Sequence, residues 1–157
     1  MAAQAGADTK STDRVLVVTR AFDAPRSVVF KAWTDPKHLV HWWGPRGYVS
    51  TVLKMDLRPG GTCRIHMKSP EGKDNWSQNV YREIVEPERI VLTGSWTDSE
   101  GNPIGPESTT TVTFEEQAGK TKVTLHQVVF ESDAAREAHR GGWTSSFDRL
   151  ADYLASR

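Results

Sequence analysis

The sequence has little cysteine and no long apolar run. A single cysteine, Cys63, stands among 157 residues, so an internal disulfide framework is excluded and a reducing compartment is compatible with the chain. No segment approaches the roughly 18 consecutive apolar residues that a membrane-spanning helix needs. Residues 1–12 contain neither the basic start nor the apolar stretch of a secretory signal. We therefore expect no membrane insertion, no secretion and a location in the cytoplasm.

An excess of charge of either sign is also missing. Lys plus Arg and Asp plus Glu both number 20, which leaves a formal net charge of zero. Without a basic patch or a long charged run, binding to nucleic acid is not expected. A glycine-rich phosphate loop, a Ser-His-Asp order and a clustered set of metal ligands are absent from the sequence as well. We therefore expect no cofactor, no metal site and no catalytic residue of a recognised type.

The chain divides into a short polar start and one folded unit. Residues 1–13 carry no periodic apolar pattern, which predicts a disordered tail, and residues 14–157 are then a single domain. The stretch 14–22 is rich in β-branched residues and predicts the first strand. Two short helices are expected next, over residues 25–34 and 36–42.

Period-two alternation follows these helices and predicts an antiparallel sheet. Arg58-Pro59-Gly60-Gly61 has proline and glycine where a type II turn requires them, so the strands on either side form a hairpin. Because no crossover helix separates the later strands, their pairing is antiparallel. The first strand of the hairpin places one set of side chains on a single face: Val49, Thr51, Leu53, Met55 and Leu57. The six strands are expected at about 49–57, 63–68, 76–85, 89–96, 108–116 and 120–130.

The end of the chain returns to helical spacing and predicts a long amphipathic helix with Ser132 as its N-cap. Its apolar stripe consists of Trp143, Phe147, Leu150 and Leu154. A strongly curved sheet wrapped around one helix encloses a space instead of a flat core. The predicted fold class is α+β: a curved, seven-stranded antiparallel sheet around a long C-terminal helix, with two short helices after the first strand.

Several short motifs, taken in order, resemble a known family. They are Asp23-Ala24-Pro25, Thr34-Asp35-Pro36, Trp42-Trp43-Gly44-Pro45, Asp56-Leu57-Arg58-Pro59-Gly60-Gly61, Glu86-Pro87-Glu88-Arg89-Ile90, and Gly142-Trp143 followed by Asp148-Arg149-Leu150. This ordered set resembles the SRPBCC (START-like) superfamily and, within it, the branch related to the C-terminal domain of the activator of heat-shock protein 90 ATPase. The resemblance covers residues 14–154. It implies a helix-grip fold, like that of birch-pollen allergens, with a deep apolar cavity for lipids, polyketides or other hydrophobic molecules.

Aromatic and methionine side chains are the candidates for the wall of such a cavity. The chain has six tryptophans, and tryptophan offers a wide apolar face with one N–H donor. The alternative is that the same residues simply fill the core. The predicted ligand-binding set comprises Trp42, Trp43, Met55, Met67, Tyr81, Trp96, Trp143 and Phe147.

Three functions remain open. The first, which we favour, is binding of a hydrophobic small molecule in the internal cavity: a lipid, a polyketide or an aromatic metabolite. The second is an enzyme resembling polyketide cyclases and dehydratases, in which Tyr81, His126 or Arg64 assists proton transfer. The third is a protein-interaction module with a chaperone as partner, by analogy with the activator branch, and it requires a large exposed apolar patch. A homodimer is an open alternative to a monomer.

Overall fold

The elements of the structure follow the predicted order along the chain. The computed structural model describes residues 15–128 and 132–156, so the predicted tail over 1–13 and the predicted end of the last strand lie outside the described residues. The strands are β1 Leu16–Phe22, β2 Val49–Met55, β3 Thr62–Lys68, β4 Asp74–Val85, β5 Arg89–Thr97, β6 Ser108–Gln117 and β7 Lys120–Val128. The helices are α1 Arg26–Thr34, α2 Pro36–Leu39 and α3 Asp133–Ser156.

The strands form one antiparallel sheet in the order β1-β7-β6-β5-β4-β3-β2. Strands β2 to β7 pair with their neighbours in sequence, whereas β1 pairs with β7, from Leu16 opposite Gln127 to Phe22 opposite Thr121. The strands β1 and β2 are therefore the two edges. The sheet curves around α3, and the predicted α+β fold class is confirmed.

The second short helix starts where the sequence predicts but ends early. The Asp35 side chain accepts a hydrogen bond from the Lys37 N–H at 2.9 Å, which satisfies a free donor at the start of α2. The helix ends at Leu39 instead of near Trp42, and the chain continues as a turn in which the Trp43 N–H donates to the Leu39 carbonyl at 3.0 Å. Trp42 and Trp43 thus lie in a tight turn, and their side chains have different surroundings.

Strand β2 departs from its predicted alternation. Its pairing with β3 shifts between Val52 and Lys54, because a bulge adds one residue and reverses which side chains face inward. Ser50 is buried while Val49 is 66% exposed, so the predicted single face is wrong for the first half of the strand. Only after the bulge does Met55 pack against the core. Alternation in a sequence does not reveal an extra residue inside a strand.

Helix packing divides the concave side of the sheet into two halves. Helix α3 contacts β1, and α1 contacts β6 and β7; we call these strands, with the helices on them, the closed half. The strands β3, β4 and β5 are the open half, and the helices contact them far less within the described part of the chain. The fully buried side chains of the closed half include Leu16, Phe22, Val112, Phe114, Leu125, Phe147 and Leu150.

Helix α3 is anchored at its start and along its length. The Ser132 hydroxyl accepts a hydrogen bond from the Ala135 N–H at 3.1 Å, so the predicted N-cap is confirmed. The Gly141-Gly142 pair does not interrupt the helix. Asp148 forms an ion pair with Arg20 of β1, which joins the helix to the edge of the sheet.

Candidate functional site

A cavity of about 560 Å³ lies over the open half of the sheet. The concave side of β3, β4 and β5 forms its floor, and α3 and the loop between α2 and β2 form the facing side. Its apolar and aromatic lining includes Trp33, Trp43, Tyr48, Cys63, Ile65, Met67, Leu92, Trp96, Ile104 and Trp143. Its polar lining includes Asn75, Ser77, Asn79, Thr110, Gln127, His139 and Ser146.

Four of the predicted wall residues lie on this cavity: Trp43, Met67, Trp96 and Trp143. Met67 is buried on β3, whereas Trp96 is 37% exposed and Ile104 beside it is 67% exposed. The Ile104 N–H donates to the Trp96 carbonyl at 3.0 Å, and this backbone bond places the two residues next to each other. They form the apolar rim of the cavity.

Trp42 and Phe147 lie in the closed half instead. Trp42 is fully buried, and its indole N–H donates to the Ala32 carbonyl at 3.1 Å. Phe147 is fully buried and meets Phe22 edge-on, with ring centroids 5.7 Å apart. Helical spacing places Phe147 on the same face as Trp143, but one turn further along α3 that face meets the closed half. The predicted wall positions of Trp42 and Phe147 are therefore corrected to the core.

Met55 and Tyr81 also lie away from the wall. Met55 packs against the core on the edge strand β2. Tyr81 is 3% exposed and lies beside Cys63, which does line the cavity. Burial raises the pKa of the Tyr81 phenol and the pKa of the Cys63 thiol above their ordinary values. Both groups are therefore neutral at neutral pH, and Tyr81 supports a wall residue without forming the wall.

Three tryptophans from separate parts of the chain form one side of the cavity, which we call the tryptophan wall. Trp33 of α1 stacks on Trp143 of α3, with ring centroids 6.0 Å apart and planes 20° apart. Trp43 meets both rings edge-on, at 5.9 Å from Trp33 and 5.3 Å from Trp143. Trp33 was not predicted as a wall residue, because a tryptophan on the apolar face of a short helix indicates only burial.

The facing strand β4 carries a polar stripe. Asn75, Ser77 and Asn79 alternate along the strand and all line the cavity; we call them the β4 stripe. Sequence reasoning missed them because alternation normally places the apolar residues inward. Trp76 instead lies on the other side of the sheet against His66, with ring centroids 5.3 Å apart. The signal available in the sequence was the repetition of short polar residues at every second position.

Close packing and hydrogen bonds position the polar lining. Gly94 of β5 lies opposite Asn79, and a Cβ at position 94 would stand 2.0 Å from the Gln78 carbonyl oxygen and 2.5 Å from Asn79 Oδ1, so only glycine fits beside this strand. The Trp143 indole N–H donates to Gln127 Oε1 at 3.1 Å. Gln127 Nε2 in turn donates to Thr110 Oγ1 at 2.8 Å. These bonds fix the orientation of the tryptophan wall relative to the sheet.

Arg149 of α3 fastens the loop that closes one side of the cavity. Its guanidinium donates to five backbone carbonyls, those of His41, Trp43, Gly44, Pro45 and Tyr48, at 2.9–3.3 Å. Burial lowers the pKa of the Arg149 guanidinium, and Arg46 nearby adds to this effect. The group remains charged at physiological pH. Arg149 therefore makes most of the hydrogen bonds that hold the loop against α3, and the Arg46 N–H adds one to Ser145 Oγ at 2.8 Å.

The cavity wall carries little charge. None of the described wall residues is Asp, Glu, Lys or Arg, and the wall residues with titratable side chains are Tyr48, Cys63 and His139. The candidates for proton transfer lie elsewhere: Tyr81 is behind the wall and His126 is exposed on β7. Arg64 is on the outer side of β3, where it donates to Gln78 Oε1 at 3.0 Å.

Metal binding and membrane spanning find no support in the described part of the chain. Over residues 15–128 and 132–156, His, Cys, Asp and Glu side chains form no group of three that could hold a metal ion. Within the same residues, none of the helices combines the length and the apolar character needed to span a bilayer.

Comparisons with known proteins agree with this geometry. A family model described as Activator of Hsp90 ATPase homolog 1-like protein matches residues 23–155. Protein Ms6760 from Mycobacterium smegmatis is similar in structure, with 26% identity, a TM-score of 0.80, and coverage of 93% of this chain and 91% of that chain. Protein CV1439 from Chromobacterium violaceum shows 28% identity and a TM-score of 0.80 over 88% of this chain and 95% of that chain. The AHSA1 protein from Silicibacter pomeroyi shows 26% identity and a TM-score of 0.79 over 90% of this chain and 97% of that chain. No curated protein matches the sequence.

Proposed function

The chain belongs to the Activator of Hsp90 ATPase homolog 1-like family, and from this premise we propose that it binds a hydrophobic small molecule in its cavity. The observation that carries the proposal is the cavity itself, whose volume of about 560 Å³ falls in the range of ligand sites, roughly 300–1,000 Å³. Its tryptophan wall offers broad apolar surface, and a few polar groups face that wall. This combination is typical of sites that bind and orient a small molecule.

The rim supports the same proposal. Trp96 and Ile104 are among the few large apolar side chains that are exposed, at 37% and 67%, and both line the cavity. Exposed apolar surface is unfavourable in water, and where it is contiguous it commonly marks a binding site. An apolar rim provides a path by which a hydrophobic molecule enters from solvent.

The other two functions have weaker support. An enzyme needs an ionisable group in reach of its substrate, but Tyr81, His126 and Arg64 do not line the cavity. A protein-interaction module with a chaperone as partner, or a homodimer, would use exposed apolar surface such as Val49 and Leu53 on the edge strand β2, which are 66% and 51% exposed. That strand is short and bulged, which weakens it as a pairing edge.

Native mass spectrometry of the purified protein, beside a denatured and solvent-extracted sample, tests the proposal. We expect an additional mass on the native protein that extraction removes. The same spectra report whether the protein is a monomer or a dimer. A protein that carries no extra mass, and that takes up none of a panel of apolar compounds, would contradict the proposal.

Adjacent glycines on α3 supply a matched pair of variants. Gly142 lines the cavity, and a Cβ there would meet Pro45 at 3.8 Å, whereas a Cβ at Gly141 would meet nothing within 4 Å. Gly142→Leu should weaken binding roughly tenfold or more, because its side chain occupies the cavity. Gly141→Leu should leave binding unchanged. Both replacements favour the helix, and urea unfolding of the two variants distinguishes a loss of binding from a loss of stability.

A further inference from the structure

Two polar groups on the cavity wall have no hydrogen-bond partner. Trp33 is 4% exposed, and its indole N–H finds no acceptor within the described residues. The hydroxyl of Ser77 is likewise buried and unpaired there. An unpaired buried polar group destabilises a folded protein, so each such group needs an explanation. Because both residues line the cavity, a bound molecule can supply the missing partners.

The β4 stripe has further hydrogen-bonding capacity. The amide of Asn79, held beside Gly94, forms no hydrogen bond with any residue the structure describes. Asn75 Nδ2 forms only long hydrogen bonds, at 3.4 Å to the Met67 carbonyl and 3.3 Å to the Lys73 carbonyl. An amide presents both donors and an acceptor. The stripe can therefore donate a hydrogen bond to a carbonyl oxygen, and can both donate to and accept from a hydroxyl group.

The lack of charge on the wall restricts the ligand further. A charged group taken into an apolar cavity needs an opposite charge or several hydrogen bonds. Among the described wall residues, His139 is the only one with a basic side chain, and its Nδ1 lies 2.9 Å from the Ala135 carbonyl. The described wall offers an anion hydrogen-bond donors but no Lys or Arg, so a carboxylate or phosphate would lose more solvation on entering the cavity than an uncharged group would. A fatty acid or a phosphorylated compound does not match this wall.

We propose that the cavity selects an uncharged amphiphile, with an apolar body against the tryptophan wall and a hydroxyl or carbonyl group toward Ser77 and Asn79 of the β4 stripe. This inference rests on the proposed function, which requires only that an apolar molecule binds. It adds the chemical class of the ligand. It also assigns Ser77 and Asn79 as the groups that recognise its polar edge.

Three probes with one ring system separate the two proposals: pyrene, pyrenemethanol and pyrenecarboxylate. Each is titrated into the protein near neutral pH, and binding is followed by energy transfer from tryptophan to the pyrene ring. For the wild type we expect pyrenemethanol and pyrene to bind and pyrenecarboxylate to bind at least about tenfold more weakly than pyrenemethanol. Tighter binding of the carboxylate would overturn the inference while leaving the proposed function intact. Failure of all three probes to bind would overturn both.

Ser77→Ala tests the role of the stripe. Loss of the Ser77 hydroxyl should weaken the binding of pyrenemethanol about fivefold, because one hydrogen bond is removed. The affinity for pyrene should change by less than about twofold, because pyrene has no polar group. Asn79→Ala removes an amide of the same stripe, and should show the same selective loss. Ser99→Ala, in an exposed turn outside the cavity, is the matched control. Equal effects of Ser77→Ala and Asn79→Ala on both probes, or no effect of either, would overturn the inference.

Discussion

The closed half and the open half of the sheet share one backbone architecture but differ in what fills them. In the closed half, aromatic and aliphatic side chains from α1 and α3 meet those of β1, β6 and β7 and are fully buried. In the open half, the inward positions of β4 carry Asn75, Ser77 and Asn79, and β5 carries Gly94. Short polar residues and glycine are too small to fill the space between these strands and α3. The cavity is therefore a consequence of residue size on the central strands and of where the helices lie.

Adjacent tryptophans show the same difference on a smaller scale. Trp42 is fully buried and donates its N–H to the Ala32 carbonyl, whereas Trp43 lines the cavity. One residue along a tight turn rotates a side chain to a different surface. Residue type alone therefore does not distinguish a core tryptophan from a wall tryptophan.

The largest expected effect contrasts the two halves directly. Phe147→Ala removes a fully buried ring in contact with Phe22 and should lower the free energy of unfolding by about 3–5 kcal/mol. Trp96→Ala, at the rim of the open half, should lower it by less than about 1 kcal/mol. Urea unfolding at equilibrium measures both. Similar losses in the two variants would show that the open half is packed as tightly as the closed half.

A second variant tests how the loop between α2 and β2 is held over the open half. Arg149→Met should lower the free energy of unfolding by about 1.5–3 kcal/mol, because charge-assisted hydrogen bonds to backbone carbonyls are lost. Hydrogen exchange should quicken over residues 43–48. Arg46→Met is the control, since Arg46 forms an exposed ion pair with Asp152 and such pairs stabilise little. Unchanged exchange in Arg149→Met would show that the loop is held by its own packing.

The smallest expected effect is a pH dependence in the open half. Burial raises the pKa of Cys63 in the folded state, so above the ordinary thiol pKa of about 8.5 the unfolded chain loses a proton that the folded chain keeps. Stability is then unaffected at lower pH and falls as pH rises, by at most about 1.4 kcal/mol per pH unit. Unfolding measured on both sides of that pH should show a smaller fall for Cys63→Ala than for the wild type. An identical fall in the two proteins would assign the dependence to other groups.

Much of the fold could be predicted from local pattern. Alternation marked the strands, proline and Asp35 marked the start of α2, and Ser132 marked the start of α3. These signals are local because the backbone conformation of an element depends on residues close in sequence. The bulge of β2 escaped prediction, because an added residue changes the pairing without changing the composition of the strand.

The order of the elements, the antiparallel sheet, the long closing helix and the family motifs can be read from the amino-acid sequence alone. Which apolar side chains meet a neighbour and which meet a cavity depends on the three-dimensional packing. It placed Trp33 beside Trp143, moved Phe147 into the core and turned the β4 stripe inward. The physical reason is that periodicity reports which face of an element is buried, whereas the volume left beyond that face depends on residues far away in the chain.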